Sequence, residues 1–140
     1  MKKLFLFMAL AISAIATELH WYDDYDAALR EAKKEHKLVY IFISSSQCGW
    51  CHKFEKTTLQ DKGVQDRLKK DFITVHLVRD FDEIPKQFEV RPVPRHYFTD
   101  ANGTIIYHAL GYRKVDCFNS FMDNTFERIE KNKSKNKETK

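Results

Sequence analysis

The residues that set the order of the structural elements are Leu38–Lys56, LVYIFISSSQCGWCHKFEK. The run LVYIFIS is apolar and β-branched without a polar alternation, which predicts a strand covered on both faces. A polar loop follows, and CGWC then opens a helix that continues through HKFEK. Cys48 is therefore expected at the start of a helix, where unpaired backbone amides and the helix dipole favour a thiolate.

The pentapeptide Cys48–His52, CGWCH, is compatible with two kinds of chemistry. C-x-x-C is the spacing of a redox dithiol, and C-x-x-C-H is also the attachment signature of a c-type haem. A haem would consume both thiols as thioethers and take His52 as an axial ligand. Because the expected core uses the faces of the strand and the helix for packing, it leaves no apolar slot for a porphyrin. We therefore expect a redox-active Cys48–Cys51 disulfide with no cofactor and no metal, and a c-type haem electron carrier is the alternative.

The elements on either side of this unit complete an α/β pattern. Helices are predicted over 25–36, 61–71 and 116–130, with one short helix within 79–90. A strand is predicted over 71–78, and a hairpin is predicted around Asn102-Gly103. This order predicts a central mixed β-sheet flanked by helices on both faces.

The two ends of the chain differ in composition from its body. Two lysines precede the apolar run Leu4–Ala16, which ends in Ala-Ile-Ala, so residues 1–16 have the pattern of a secretory signal peptide. The run is too short to span a bilayer as a helix. The last residues, 131–140, are KNKSKNKETK and are predicted to form a disordered Lys-rich tail. A single domain, residues 17–130, is expected between these ends.

The net charge of +4 comes from the two ends of the chain. The signal contributes two lysines, and the tail contributes five lysines against one glutamate, so the body carries a net −2. Nucleic-acid binding usually needs a basic face on the folded domain. No nucleic-acid partner is therefore expected.

The cysteines point to an oxidising compartment. Export places the domain where disulfides form, and a periplasmic location is predicted. A disulfide between Cys48 and Cys51 closes almost no loop and adds little stability, so the pair is expected to be cycled. The third cysteine, Cys117, lies beside Phe118 in the last helix. It is expected to be a small buried apolar residue without a catalytic role.

Three further motifs follow the dithiol: Val90–Pro94 (VRPVP) opening a strand, Phe98–Asp100 with Asn102-Gly103, and Gly111-Tyr112 before the last helix. With them the chain resembles the thioredoxin-fold family over nearly all of residues 17–130. The resemblance implies that Pro94 is a cis-proline and that the backbone of Val93 pairs with an extended substrate segment. Trp50 is expected to offer partner proteins an exposed aromatic contact, and packing of its ring over the dithiol is the alternative.

Residues 48–68, CGWCHKFEKTTLQDKGVQDRL, are similar to the reductase domain of DsbD-type membrane electron conduits and to small secreted thioredoxin-like proteins. The likeness implies that Glu55, four residues after Cys51, approaches the dithiol and tunes its protonation. The chain departs from the thioredoxin pattern at Phe42. That position is commonly a buried aspartate in thioredoxins, where it accepts the proton of the second cysteine. Trp50 likewise replaces the proline of the thioredoxin motif C-G-P-C.

These likenesses imply a thiol–disulfide oxidoreductase in which Cys48 attacks and Cys51 resolves. The main hypothesis is a periplasmic protein disulfide reductase that acts on disulfide-bearing secreted proteins. It would be a monomer and would receive electrons from a membrane donor. A disulfide isomerase and a non-catalytic thioredoxin-fold binding module are the alternatives.

Overall fold

The computed structural model describes residues 19–138 of the chain, and the side chains of residues 19–137. The predicted signal peptide, residues 1–16, lies outside the described residues. Within 19–138, no helix is both long enough and apolar enough to cross a membrane.

A five-stranded mixed sheet forms the centre of the described chain. Its strands are β1 (Trp21–Tyr22), β2 (Leu38–Ser44), β3 (Phe72–Val78), β4 (Arg95–Thr99) and β5 (Ile105–Leu110). The order across the sheet is β1-β3-β2-β4-β5. β1, β3 and β2 run parallel, and β4 is antiparallel to both β2 and β5. The predicted buried strand is β2, in the middle of the sheet, whereas the sequence does not predict β1 because two residues are too few to show a pattern.

The described helices are α1 (Tyr25–Glu35), α2 (Gly49–Lys56), α3 (Lys62–Asp71) and α4 (Val115–Glu138). Two of them begin at an aspartate that caps the first turn. Asp24 Oδ1 accepts a hydrogen bond from Ala27 N at 3.0 Å, and Asp61 Oδ1 accepts one from Val64 N at 2.9 Å. Cys48 occupies the same capping position before α2. The first cysteine is therefore part of a helix start, as predicted.

The helices cover both faces of the sheet, because alternate residues of β2 point to opposite faces. On one face an aromatic layer lies between the sheet, α2 and α4: Tyr40, Phe42, Phe54, Phe98 and Phe118. On the other face an aliphatic layer lies against α1: Ala28, Ala32, Val39, Ile41 and Ile43. Cys51 packs within the aromatic layer. The dithiol helix therefore rests on the aromatic side of the sheet.

The connection between β3 and β4, residues 79–94, contains turns and no helix, so the short helix predicted within 79–90 is wrong. The backbone is held by a local side chain instead. Asp82 Oδ2 accepts a hydrogen bond from Val78 N at 2.6 Å, which closes a turn at the end of β3. Pro85 then supplies no amide hydrogen with which a helix could continue.

The last helix is longer than the sequence indicates. α4 continues to Glu138, so the segment 131–140, where a disordered tail is predicted, is helical as far as that residue. The ion pair between Lys131 and Glu127, at 2.6 Å, joins successive turns. The segment also contains no glycine or proline that would end the helix. Residues 131–137 are exposed throughout.

Cys117 is exposed and unpaired, which corrects the expectation that it is buried. α4 buries the face that carries Phe118, Phe121 and Met122. Cys117 precedes the first of these residues and therefore lies about 100° around the helix from it. It is a surface thiol.

Candidate active site

Cys48 and Cys51 are joined by a disulfide, with their Cα atoms 5.2 Å apart. Cys48 is the N-cap of α2, and its Sγ accepts a hydrogen bond from the backbone amide of Cys51 at 3.1 Å. An amide that donates to this sulfur also stabilises the thiolate that forms on reduction. Cys51 is fully buried, whereas Cys48 is half-buried. Cys48 is therefore the sulfur that a protein partner can reach.

The loop that leads into Cys48 is held from the end of β3. Asp80 Oδ2 accepts hydrogen bonds from Ser46 N at 2.7 Å and from Ser46 Oγ at 2.9 Å. These two bonds hold the pKa of Asp80 below its usual value, because they stabilise the ionised carboxylate. Asp80 thus fixes the backbone two residues before the accessible sulfur.

An exposed aromatic surface lies beside the disulfide. The side chain of Trp50 is 59% exposed, and its ring centroid is 5.6 Å from that of Tyr112. Lys53 Nζ lies 5.0 Å from the centre of the Trp50 ring and 5.1 Å from that of Tyr112. The ammonium and the two rings make cation–π contacts that order this surface.

Glu55 is half-buried on α2, one turn after Cys51. Its Oε1 lies 3.8 Å from His76 Nδ1 of β3, and both side chains line a cavity of about 340 Å³. His76 Nε2 is 2.7 Å from Ser44 Oγ, at the end of β2. Burial lowers the pKa of His76, and the nearby carboxylates of Glu55 and Asp82 oppose this shift. Glu55 and His76 are therefore neighbours on the wall of this cavity, and burial favours the neutral form of the imidazole.

Phe42 stands between two histidines in neighbouring strands. In the register of the sheet it pairs with His76 of β3 on one side and with His96 of β4 on the other. Its ring is stacked on both imidazoles, with centroids 4.7 Å from His76 and 5.9 Å from His96. Phe42, the position at which the chain departs from the buried aspartate of the thioredoxin pattern, is thus flanked by two titratable imidazole rings.

The two histidines differ in their access to solvent. His96 is fully buried, and its ring nitrogens bond Tyr40 Oη at 2.9 Å and the carbonyl of Gly111 at 3.1 Å. Burial lowers the pKa of His96 to about 4, so the ring is neutral at pH 7. His96 is a structural bridge, and only His76 of the two lines the cavity.

The Val93–Pro94 loop enters the same end of the sheet. The Val93–Pro94 peptide bond is cis. The carbonyl of Pro94 accepts a hydrogen bond from Gly111 N at 2.8 Å. β4 is antiparallel to β2 and pairs Arg95 with Ile43, so the residues before Arg95 lie at the end of β2 that leads to the dithiol.

Comparison with known proteins identifies the family. The model of a family described as thioredoxin-like domain matches residues 25–126. The chain belongs to this thioredoxin-like family.

Curated relatives of this thioredoxin-like chain match only part of it. Spermatogenesis-associated protein 20 of Homo sapiens is 32% identical over 60 residues, which is 43% of this chain and 8% of that protein. Anterior gradient protein 3 of Mus musculus is 23% identical over 88 residues, which is 63% of this chain and 53% of that protein. The chain thus spans less than a tenth of the first relative and about half of the second.

Solved structures share the thioredoxin-like fold over most of the chain. A DsbH oxidoreductase matches with a TM-score of 0.63 and 21% identity, covering 80% of this chain and 87% of that one. A thioredoxin from Thermus thermophilus matches with a TM-score of 0.64 and 22% identity, covering 74% and 84%. The oxidised C-terminal domain of DsbD from Neisseria meningitidis matches with a TM-score of 0.59 and 20% identity, covering 76% and 99%. The predicted thioredoxin fold is confirmed.

The structure places the predicted site residues around one end of the sheet. Cys48 caps α2, Trp50, Cys51 and Glu55 lie on it, and Val93–Pro94 precedes β4. In this thioredoxin-like fold, the Cys48–Cys51 pair supports thiol–disulfide oxidoreductase activity. Within residues 19–138, no cluster of three or more His, Cys, Asp and Glu side chains is placed to hold a metal ion.

Sequence reasoning missed three residues that build the site: Ser44, His76 and Asp80. Of these three, only His76 has a signal in the sequence, because it is a histidine inside the otherwise apolar strand FITVHLV. The sequence does not show that this histidine pairs with Phe42, because the pairing depends on the register between two strands that are far apart in the chain.

Proposed function

We propose that this protein is an exported thiol–disulfide oxidoreductase that reduces disulfides in other proteins of the periplasm. One observation carries the proposal. The accessible sulfur of Cys48 accepts a hydrogen bond from the backbone amide of Cys51 at the start of α2. Cys51 itself is fully buried. A thiolate at Cys48 is therefore both stabilised and accessible to a target, and the sulfur of Cys51, one helical turn away, can resolve the mixed disulfide.

The reaction transfers two electrons from the dithiol to the target. The Cys48 thiolate attacks one sulfur of the target disulfide, so that a Cys48–target bond forms and the other target sulfur leaves as a thiolate. The Cys51 thiolate then attacks Cys48 Sγ and releases the second target sulfur. The protein is left with the Cys48–Cys51 disulfide that the structure contains.

The surface around Cys48 supports a protein as the target. Trp50 provides an exposed apolar surface two residues from Cys48, and the loop of Val93 and Pro94 lies at the same end of the sheet. We propose that an extended target segment pairs with the backbone of Val93, as a peptide adds to a strand edge. Pro94 has no amide hydrogen of its own to compete for that segment.

A reductase in an oxidising compartment needs a donor of electrons that reduces its own disulfide after each turnover. We propose a membrane electron donor that reduces Cys48–Cys51 after each turnover, together with a monomeric protein and no nucleic-acid partner. The signal-peptide pattern of residues 1–16 supports the location, and the net negative charge of residues 17–130 supports the absence of a nucleic-acid partner.

The test combines a potential with two cysteine variants. We expect the dithiol to have a reduction potential near that of thioredoxin, about −270 mV, because a value near −120 mV would make it an oxidant. Cys48→Ser should abolish the acceleration that the protein gives to the reduction of insulin by dithiothreitol. Cys51→Ser should retain the first attack and accumulate mixed disulfides at Cys48.

Other outcomes point to the alternative functions. A chain without thiol turnover whose partner affinity survives Cys48→Ser would be a binding module. A protein that reshuffles scrambled disulfides without net reduction would be an isomerase. A chain purified from a host that matures c-type cytochromes would show a Soret band if Cys48 and Cys51 carried haem.

A further inference from the structure

The thioredoxin pattern commonly buries an acid where this chain has Phe42, so the proton of Cys51 needs another acceptor. Cys51 is fully buried, and a buried thiol holds its proton more strongly than an exposed one. The second step of the exchange requires its thiolate. A base close to α2 would therefore determine the rate at which the target is released.

Glu55, one helical turn after Cys51, lies next to a candidate base. Residues four apart lie on one stripe of a helix, so Glu55 follows Cys51 down the side of α2. Its carboxylate lies 3.8 Å from His76 Nδ1, on the wall of the 340 Å³ cavity. Phe42 lines the same cavity and packs in one cluster with Cys51. A space of this size holds several water molecules of about 30 Å³ each, so protons can be relayed within it.

His76 is held in the orientation that such a relay needs. Ser44 Oγ lies 2.7 Å from Nε2, and the ring is stacked on Phe42. In the tautomer that donates Nε2–H to Ser44, Nδ1 faces Glu55 and is free to accept a proton. Ser44 is only 3% exposed, so its hydroxyl anchors the ring and is not presented to a substrate.

We propose that His76 accepts the proton of Cys51 during target release, with Glu55 passing the proton to Nδ1 and then stabilising the imidazolium. The inference rests on the proposed function. In this step the S–H bond of Cys51 breaks, the proton goes to Nδ1, and the Cys51 thiolate forms a bond to Cys48 Sγ. The bond between Cys48 and the target breaks at the same time, and the target sulfur leaves with the electron pair.

The charged groups that face His76 are the carboxylates of Glu55, from α2, and Asp82, from the turn after β3. β1 and β2 contribute aromatic rings, those of Trp21 and Phe42. An imidazole has an ordinary pKa nearer to neutral pH than that of a carboxylate, which suits a proton acceptor. Burial lowers the pKa of His76, and the carboxylates of Glu55 and Asp82 oppose that shift. His76 acts through Glu55 and is therefore a positioning and proton-holding residue rather than a catalytic one.

The experiment measures the two steps separately in the full chain. All variants carry Cys117→Ser, because the exposed thiol of Cys117 would also react with the probe. Reduced protein is mixed with glutathione disulfide and quenched with acid, and mass spectrometry counts the reduced, mixed-disulfide and intramolecular-disulfide forms over time. The compared proteins are the parent, His76→Gln, Glu55→Gln, the double variant, and His108→Gln as a matched control at an exposed histidine of β5.

We expect His76→Gln to leave the formation of the mixed disulfide unchanged and to slow its decay at least about tenfold at pH 7. The decay rate of this variant should rise roughly tenfold per pH unit between pH 6 and 8, as the thiolate fraction of Cys51 rises, whereas the parent rate should change little. Glu55→Gln should slow the same step, and the double variant should be no slower than the slower single variant, because the two residues act as one unit. His108→Gln should match the parent.

Decay of the mixed disulfide in His76→Gln at the parent rate and with the parent pH profile would overturn the inference. So would losses in the two single variants that multiply in the double variant. If His76→Gln does not fold, Glu55→Gln decides by itself, and a parent-like pH profile in that variant overturns the relay. A parent protein that forms no mixed disulfide at Cys48 overturns the proposed function and the inference together, so the two failures are distinct.

Discussion

At the scale of single residues, the neutral imidazole of His96 joins parts of the fold that carry no charge of their own. It bonds Tyr40 Oη on β2 and the carbonyl of Gly111 before α4, and it lies among aromatic rings. A neutral ring satisfies both partners within an apolar layer, whereas an imidazolium would be buried without a counter-charge. Burial among these aromatic rings therefore disfavours protonation of His96.

The pKa of His96 predicts a loss of stability in acid. An unfolded chain protonates a histidine at about pH 6.5, and the folded protein protonates His96 only near pH 4. Between these values the unfolded state binds more protons, so the free energy of unfolding falls as the pH falls. His96 should contribute a decrease of about 3 kcal/mol from pH 6.5 to pH 4 and none above pH 6.5. Urea denaturation across this range measures it.

The control for His96 replaces both members of the hydrogen-bonded pair. The double variant Tyr40→Phe/His96→Phe leaves no unpaired hydroxyl or imidazole and removes the titrating ring. The carbonyl of Gly111 loses its donor, but this loss does not depend on pH. Its free energy of unfolding should depend less steeply on pH between 6.5 and 4 than that of the parent. Equal slopes in the two proteins would show that other groups carry the acid sensitivity.

At the scale of secondary structure, three of the described helices, α1, α2 and α3, begin at a side-chain capping atom. α1 and α3 use aspartate oxygens, whereas α2 uses the sulfur of Cys48. A sulfur accepts a weaker hydrogen bond than a carboxylate as long as it is neutral, and a stronger one once it is a thiolate. The start of α2 is therefore bonded most strongly when the protein is reduced and Cys48 is ionised.

Asp24 allows the strength of a conventional cap to be measured in the same chain. Asp24→Ala removes the acceptor for Ala27 N and should lower the free energy of unfolding by about 1 kcal/mol. Asp24→Asn keeps an oxygen in the same place and should recover more than half of that loss. Thermal or urea denaturation of both variants tests the comparison, and equal losses would mean that the charge matters and the hydrogen bond does not.

At the scale of the whole molecule, stability is concentrated in the two layers that cover the sheet. The far end of α4 takes no part in either layer, because residues 131–137 are exposed. Ion pairs between exposed side chains contribute little to stability. The extension should therefore be helical without supporting the fold.

Removal of residues 131–140 tests this separation. The shortened chain should unfold at the same urea midpoint as the full chain and should lose helical circular-dichroism signal. Met122→Ala, in the buried part of the same helix, provides the contrast and should lower the free energy of unfolding by about 2–5 kcal/mol. A midpoint shift from the truncation comparable with that of Met122→Ala would contradict the prediction.

The sequence predicts the parts of the molecule whose signal is local. LVYIFIS carries its own evidence of burial, and CGWC follows it at a helix start, so the amino-acid pattern alone is enough to locate β2 and α2. The helix expected within 79–90 is wrong because the Asp82 side chain closes a turn there, a contact that helical periodicity cannot reveal. The role of His76 is not predicted because its position opposite Phe42 depends on the pairing of β2 and β3.

The unequal exposure of the two sulfurs also sets the order of events in turnover. Only Cys48 can be approached from outside, since Cys51 is closed over by its own helix and the aromatic layer. In the proposed reductase cycle, the electron donor and the target would therefore react with the same sulfur, one after the other. Such a cycle would show ping-pong kinetics, in which the two partners compete for Cys48 and the slower of the two exchange steps limits turnover.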